Sequence, residues 1–145
     1  MANVIYRGPI AREPQTINLP VAGAYTPGIF VTSDGAALTQ ATGPTGRLLL
    51  LSNRRFYEQG PDDAYAAGET GVAYRVEGDQ EYSAQFAAGT YTKGQPLTVD
   101  ANGQLASAST GSALVVAYYD GAGATLTAGQ RDDIVLATNV HIGAV

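Results

Sequence analysis

The residues able to do acid–base or nucleophilic chemistry are few in this chain and poorly spaced for it. His141 is the one histidine, cysteine is absent, and the adjacent carboxylates are Asp62-Asp63 and Asp132-Asp133. Neighbouring residues on a strand point to opposite faces, so neither pair is arranged as an acid/base couple. A hydrolytic triad needs a nucleophile, a base and an orienting group. We therefore expect no catalytic residues and a protein that is not an enzyme.

Cofactor and metal motifs are incomplete as well. The segment Asp100–Gly103 resembles the start of a calcium loop, but Ser109 stands where the closing bidentate glutamate should be. Gly121-Ala122-Gly123 lacks the third glycine of a dinucleotide fingerprint, and Lys93 does not belong to a phosphate-binding loop. With one histidine and no cysteine, a zinc site has too few ligands. The sequence predicts no cofactor and no bound metal.

One cationic cluster, Asn53-Arg54-Arg55-Phe56-Tyr57, is flanked by aromatic residues. It has the groups to stack on a nucleic-acid base, or to pair with carboxylates of this protein or of an assembly partner. The net charge of −5 argues against nucleic acid and favours pairing. Nine tyrosines against three phenylalanines suit interfaces, where a ring with a polar tip is useful. The residues predicted to form an oligomer or partner interface are Arg54, Arg55, Tyr57, Tyr118 and Tyr119.

Composition also points to assembly. The chain has 145 residues, which is one domain's worth, and 14% of them are charged. That charged fraction is low for a small domain with a large surface, so we expect part of the surface to be covered by a partner. Every run of consecutive apolar residues, Leu48–Leu51 among them, is too short to span a membrane. The N-terminal residues do not have the charged-then-apolar order of a secretion signal. We therefore expect the protein to be made and kept in a cytoplasm.

The elements that must position these residues are short strands. Runs of β-branched and aromatic residues are separated by Gly, Pro, Asn and Asp, which is typical of an all-β domain with tight turns. We predict a compact small β-barrel or sandwich with little helix. The predicted strands cover residues 16–19, 28–32, 36–39, 47–52, 72–76, 81–84, 96–99, 104–107, 113–119 and 133–138.

An internal repeat divides this domain into two related halves. Ala22–Gly28 and Ala88–Gly94 share five of seven residues, and each is followed by an Asp, a Gly and an apolar strand. The predicted repeats are residues 22–53 and 88–120. Asn102-Gly103 is the strongest hairpin signal, and we predict a type I′ turn there. The full prediction is an extended arm at 1–14, a β domain at 15–138 with an exposed acidic loop at 59–71, and a C-terminal tail at 139–145.

The second repeat also carries a family resemblance. It has Lys93-Gly94-Gln95-Pro96-Leu97, an Asn-Gly hairpin, a small-residue strand, and a Val-Val strand that leads into Ala/Gly-rich sequence. This pattern resembles the capsid decoration, or cement, proteins of tailed bacteriophages over about residues 80–138. In the first repeat the resemblance holds only through the duplication, and residues 54–71 have no counterpart in it.

The resemblance implies a β-tulip-like or SH3-like domain on a virion, made in the host cytoplasm. Such a protein binds the outer capsid surface where major capsid protein subunits meet, and it stabilises the head against internal DNA pressure. The resemblance further implies trimers or dimers and a terminus that crosses to a neighbouring subunit. The arm residues predicted to contact the capsid or a neighbour are Val4, Ile5, Arg7, Ile10 and Arg12.

Two other functions fit the same residues. One is a tail or appendage structural protein, such as a tail-tube or connector component, which differs from a decoration protein in its place on the particle. The other is a domain that binds a carbohydrate or host surface, for which an exposed aromatic platform would be the distinguishing feature. The absence of tryptophan argues against this second function.

Overall fold

The computed structural model describes residues 4–108 and 114–142, and side chains as far as residue 138. Thirteen strands and two 3₁₀ turns, Ile10–Arg12 and Arg55–Tyr57, make up its regular structure. The all-β prediction is confirmed. The strands are β1 Tyr6–Gly8, β2 Thr16–Pro20, β3 Phe30–Ser33, β4 Leu38–Gln40, β5 Leu49–Ser52, β6 Thr70–Tyr74, β7 Glu81–Gln85, β8 Gly89–Tyr91, β9 Pro96–Val99, β10 Leu105–Ser107, β11 Leu114–Tyr119, β12 Ala124–Leu126 and β13 Arg131–Ile142.

These strands form two main sheets and a two-stranded ribbon. The first sheet has the order β2-β6-β5-β3-β4, and the second sheet has the order β1-β7-β13-β11-β9-β10. Strands β8 and β12 form the ribbon. All strand pairs within the sheets are antiparallel. Among the described strands no sheet closes into a barrel, so the architecture is a sandwich.

The two sheets repeat one strand order and one register. A hairpin is followed by a strand that pairs with its first member, as β3, β4 and β5 in the first sheet and as β9, β10 and β11 in the second. Strands β6 and β13 then lie beside β5 and β11, with β2 and β7 next to them. We refer to residues 16–74 as the first half and to residues 81–142 as the second half. Matching positions have matching partners, as in Val31↔Leu49 and Leu97↔Ala117, and in Leu50↔Tyr74 and Tyr118↔Val135.

Alternation along its strands buries both faces of the first sheet. Phe30, Leu50 and Tyr74 belong to the larger apolar cluster, which also holds the inward side chains of the second sheet. Val31 and Leu51 follow Phe30 and Leu50 in sequence and belong to a smaller cluster on the opposite face. Two aromatic triads strengthen the larger cluster. Their ring centroids lie 4.8–6.0 Å apart, and their members are Tyr6, Tyr74 and Tyr82, and Phe86, Tyr91 and Tyr119.

The N-terminal segment lies on the edge of its own domain. Strand β1 pairs with β7, and the Ser83 amide donates to the Ile5 carbonyl oxygen (2.8 Å). Ile5 is fully buried in the larger cluster. The Tyr6 hydroxyl reaches the carbonyl oxygens of Pro9 and Arg12, which holds the first 3₁₀ turn against the strand. Residues 5–8 are therefore part of the sandwich and not a free arm.

The predicted hairpin at Asn102-Gly103 is present, but its predicted turn type is wrong. A positive φ occurs at Gly103 (72°) and not at Asn102, whereas a type I′ turn needs both. The Asp100 carboxylate accepts from the amides of Asn102 (2.8 Å) and Gln104 (3.0 Å). That capping produces a type I turn followed by a left-handed glycine.

In the described part of the chain, no helix is long and apolar enough to cross a membrane.

Candidate binding surface

The acidic pairs make separate structural contacts. Asp62 pairs with the buried Arg131 (3.1 Å), while Asp63 accepts from the Gly60 amide (2.7 Å). Asp132 and Asp133 also diverge, one toward the Tyr119 hydroxyl and the other toward Arg7. The distance from the Tyr119 hydroxyl to Asp132 is 2.7 Å. Among the described residues no group of three or more His, Cys, Asp or Glu is placed to hold a metal ion. The His141 side chain lies outside the described residues.

The second 3₁₀ turn raises two aromatic side chains into solvent. Phe56 is 97% exposed and Tyr57 is 75% exposed. The Tyr57 amide donates to the Arg54 carbonyl oxygen (3.0 Å), and Glu58 ends the turn in the left-handed region (φ 60°). We call residues 54–58 the aromatic turn. Sequence reasoning did not select Phe56 as a site residue, although an aromatic pair next to two arginines, outside any strand pattern, was the available signal.

Side-chain hydrogen bonds hold the base of the aromatic turn. Asn53 Nδ2 donates to the Gln59 carbonyl oxygen (2.7 Å), and the Arg54 amide donates to Gln59 Oε1 (2.8 Å). These two bonds join the residues on either side of the aromatic turn to each other. The exposed aromatic side chains therefore project from a fixed base rather than from an untethered loop.

Arg54 joins the aromatic turn to the acidic loop. Its guanidinium pairs with Glu69 (2.6 Å) and lies over the rings of Tyr57 (5.3 Å) and Tyr65 (5.2 Å). This is pairing within the protein, one of the alternatives that the sequence left open. Contrary to the expected exposure of residues 59–71, Tyr65 is buried, and its hydroxyl donates to the Ser52 carbonyl oxygen (2.6 Å). The loop is thus fastened to the first sheet by one aromatic side chain.

A groove of about 580 Å³ lies beneath the aromatic turn. Its floor is the part of the first sheet around Asn18, Ser52 and Val72, and Asn53 lies at its side. Glu13, which follows the first 3₁₀ turn, approaches Arg55 across the groove (3.9 Å). The remaining lining residues are Thr16, Arg54, Phe56, Tyr57, Thr70 and Tyr74. The groove combines aromatic walls with amide, hydroxyl and charged groups, which is the composition of a binding site.

The structure separates the predicted interface residues. Arg55 and Tyr57 are exposed beside the groove, and Tyr118 is half-buried on the outer face of the second sheet. Tyr119 was predicted to lie in an interface, but it is 1% exposed and belongs to the core. The reason is alternation, because Ala117 and Tyr119 point inward and Tyr118 points outward. Burial and the bond to Asp132 raise the pKa of Tyr119.

The arm residues that were predicted to contact the capsid or a neighbour also differ in their exposure. Ile5 is buried in the chain's own core, which removes it from contact with a neighbour, and Arg7 is paired with Asp133. Val4 is half-buried. Ile10 is 92% exposed and Arg12 is exposed, both on the turn that precedes Glu13. The accessible part of the predicted arm therefore adjoins the groove.

The ion pair between Arg54 and Glu69, which supports the aromatic turn, depends on pH. The Ala66 amide (2.5 Å) and Arg54 both donate to the Glu69 carboxylate and hold the pKa of Glu69 below its ordinary value of 4.5. A depressed folded-state pKa contributes stability above the unfolded-state pKa, and this contribution is lost as the pH falls through the folded-state value. We expect Glu69→Gln to lower the urea unfolding midpoint at about pH 7 and to have a smaller effect at about pH 3. An equal loss at both pH values, or the same profile in the control Glu77→Gln, would contradict this role.

No protein-family model matches the chain, and no curated protein matches it.

Proposed function

We propose that this protein is a virion structural protein that binds the outer capsid surface between major capsid protein subunits and stabilises the head. The observation that supports this most is the pair of exposed turns around the groove. Ile10, Phe56 and Tyr57 are exposed, although the domain has a well-packed core of its own. Large apolar and aromatic side chains presented together are typical of a protein–protein interface.

The mechanism is added interface area on a pre-ordered surface. Burying apolar area against the capsid contributes roughly 25 cal/mol per Å² before the costs of association, and many copies act on one shell. The ties at Asn53, Arg54 and Tyr65 reduce the ordering that binding must still impose on the aromatic turn. No chemical step is required of the protein.

The turn at Ile10 should contribute to this binding. We expect the double variant Ile10→Ser/Arg12→Ser to bind capsids that lack the protein about tenfold more weakly, because the variant has neither the exposed apolar anchor nor the charge. Co-sedimentation measures the affinity, and the unfolding midpoint should stay at its wild-type value. Deleting the whole arm is a poorer test because it also removes Ile5 from the core. Unchanged co-sedimentation would remove the arm from the interface.

A second candidate, carbohydrate or host-surface binding, is favoured by the groove itself. Tyr57 and Phe56 supply an aromatic platform, and Asn18, Asn53 and Glu13 supply polar groups beside it. Binding to a glycan array that Tyr57→Ala abolishes, together with no binding to capsids, would select this function over capsid decoration.

A further inference from the structure

The two sheets differ at one edge. Strand β2 has in the first half the position that β7 has in the second half. In the second sheet β1 pairs with the outer side of β7, whereas no described strand lies outside β2. The first half therefore presents a bare sheet edge where the second half carries a sixth strand.

Strand β1 shows what covering this edge involves. Tyr6 pairs with Tyr82, and the Ser83 amide donates to the Ile5 carbonyl oxygen (2.8 Å). Ile5 and Tyr82 have no exposed surface, and Ser83 is 2% exposed. With a strand outside it, β7 is therefore buried along most of its length.

Strand β2 directs backbone groups toward its bare side. The Arg75 amide donates to the Gln15 carbonyl oxygen (2.8 Å), so the odd-numbered residues of β2 bond to β6. Alternation in an antiparallel pair then points the backbone groups of Thr16, Asn18 and Pro20 away from β6. All three residues are exposed. Because proline has no N–H, a further strand would pair mainly with Thr16 and Asn18.

The two faces beside this edge differ in chemistry. Thr16 and Asn18 line the groove beneath the aromatic turn on one face of β2. On the other face, Ile17 lines a pocket of about 210 Å³ together with Arg47 and Arg75. Both arginines are exposed, and neither forms an ion pair with a residue that the structure describes. An added strand would therefore suit an acidic side chain on the arginine face and an apolar side chain on the groove face.

We propose that an extended segment of the major capsid protein adds to the outer side of β2 as a further strand, as β1 does beside β7. The segment places an acidic side chain near Arg75 and an apolar side chain over the groove. Backbone hydrogen bonds to Thr16 and Asn18 supply affinity, and the side chains on the two faces supply specificity. This inference rests on the proposed capsid decoration and states the kind of contact through which it occurs.

Two substitutions at one position separate backbone pairing from side-chain contact. Asn18→Pro and Asn18→Ala both remove the side-chain amide, but only the proline removes the backbone N–H that faces the bare edge. We expect Asn18→Pro to bind capsids that lack the protein about tenfold more weakly than Asn18→Ala in co-sedimentation. The two urea unfolding midpoints should be similar, because this N–H makes no bond to β6. Equal capsid binding by the two folded variants would overturn strand addition.

Arg75→Gln tests the acidic side chain of the partner segment. The loss of this guanidinium should weaken co-sedimentation with capsids about fivefold. Lys93→Gln removes the same charge at an exposed position between β8 and β9, and it should bind as wild type. Equal affinities of the two variants would contradict an acidic partner at this edge.

Hydrogen exchange of the wild-type chain gives a readout that needs no variant. In the free protein the amides of Thr16 and Asn18 should exchange fast, and capsid binding should slow both in peptides that span residues 14–20. Peptides that cover β12 should exchange equally in the free and bound protein. Capsid binding without protection at residues 14–20 would overturn strand addition and leave capsid decoration standing. A chain that does not bind capsids at all would overturn both proposals.

Discussion

Replacing Phe56 and Tyr57 together by serine is expected to weaken capsid binding about 100-fold, or about 2.8 kcal/mol. Both side chains project from the aromatic turn with little of their surface buried in the free protein. Buried aromatic anchors are the commonest hot spots of protein interfaces, and their truncation removes a large interface area at once. Co-sedimentation with capsids that lack the protein, over a range of protein concentrations, measures the change.

The same double variant should remain folded. Its free energy of unfolding should change by less than about 1 kcal/mol, because the substitution removes one stabilising interaction, between the Arg54 guanidinium and the Tyr57 ring. Thr125→Ala, at an exposed position that does not line the groove, is the control and should bind as wild type. Wild-type affinity in the double variant would place the capsid interface on another surface of the domain.

Gly103→Ala is expected to destabilise the protein by about 3 kcal/mol, and Gly35→Ala by about 1 kcal/mol. Both glycines have a positive φ, 72° and 91°, so an alanine is strained at either position. A Cβ at Gly103 would also meet the Phe30 carbonyl oxygen at 2.7 Å, whereas a Cβ at Gly35 meets nothing within 4 Å. The difference between the two destabilisations therefore measures the close approach of the halves.

Urea unfolding of the two alanine variants gives both free energies on the same footing, since each substitution changes one turn glycine in the same way. Equal destabilisation would mean that the hairpin tip can move away from the first sheet at little cost. The tight junction between the halves would then contribute little to stability.

Much of the fold follows from local patterns. The predicted strand at 96–99 coincides with β9, and those at 16–19, 104–107 and 113–119 differ from β2, β10 and β11 by one residue. Alternation and turn residues carry that information. Strands β1, β8 and β12 were missed because three residues are too few to show a period of two and because none of them adjoins an Asn-Gly dipeptide like the one that precedes the equally short β10.

Features that depend on tertiary contacts were harder to predict from the sequence. The pattern of Tyr118-Tyr119 indicates that the two rings face opposite ways, but not which face of the sheet is covered. The exposed state of Phe56 depends on the Asn53–Gln59 contact, and the buried state of Tyr65 depends on the Ser52 carbonyl oxygen. The groove arises where the two 3₁₀ turns approach each other at Glu13 and Arg55, residues far apart in sequence. A local sequence pattern cannot predict a contact between residues that are so far apart in the chain.

The most direct test of capsid decoration is cryo-electron microscopy of capsids that lack this protein, mixed with the purified chain. If the protein decorates capsids, regular density appears on the outer surface between capsomers, with the aromatic turn facing the major capsid protein. We also expect the Phe56→Ser/Tyr57→Ser variant to leave those positions largely empty at the same concentration. Capsids that stay bare while the wild-type protein remains free in solution would contradict capsid decoration.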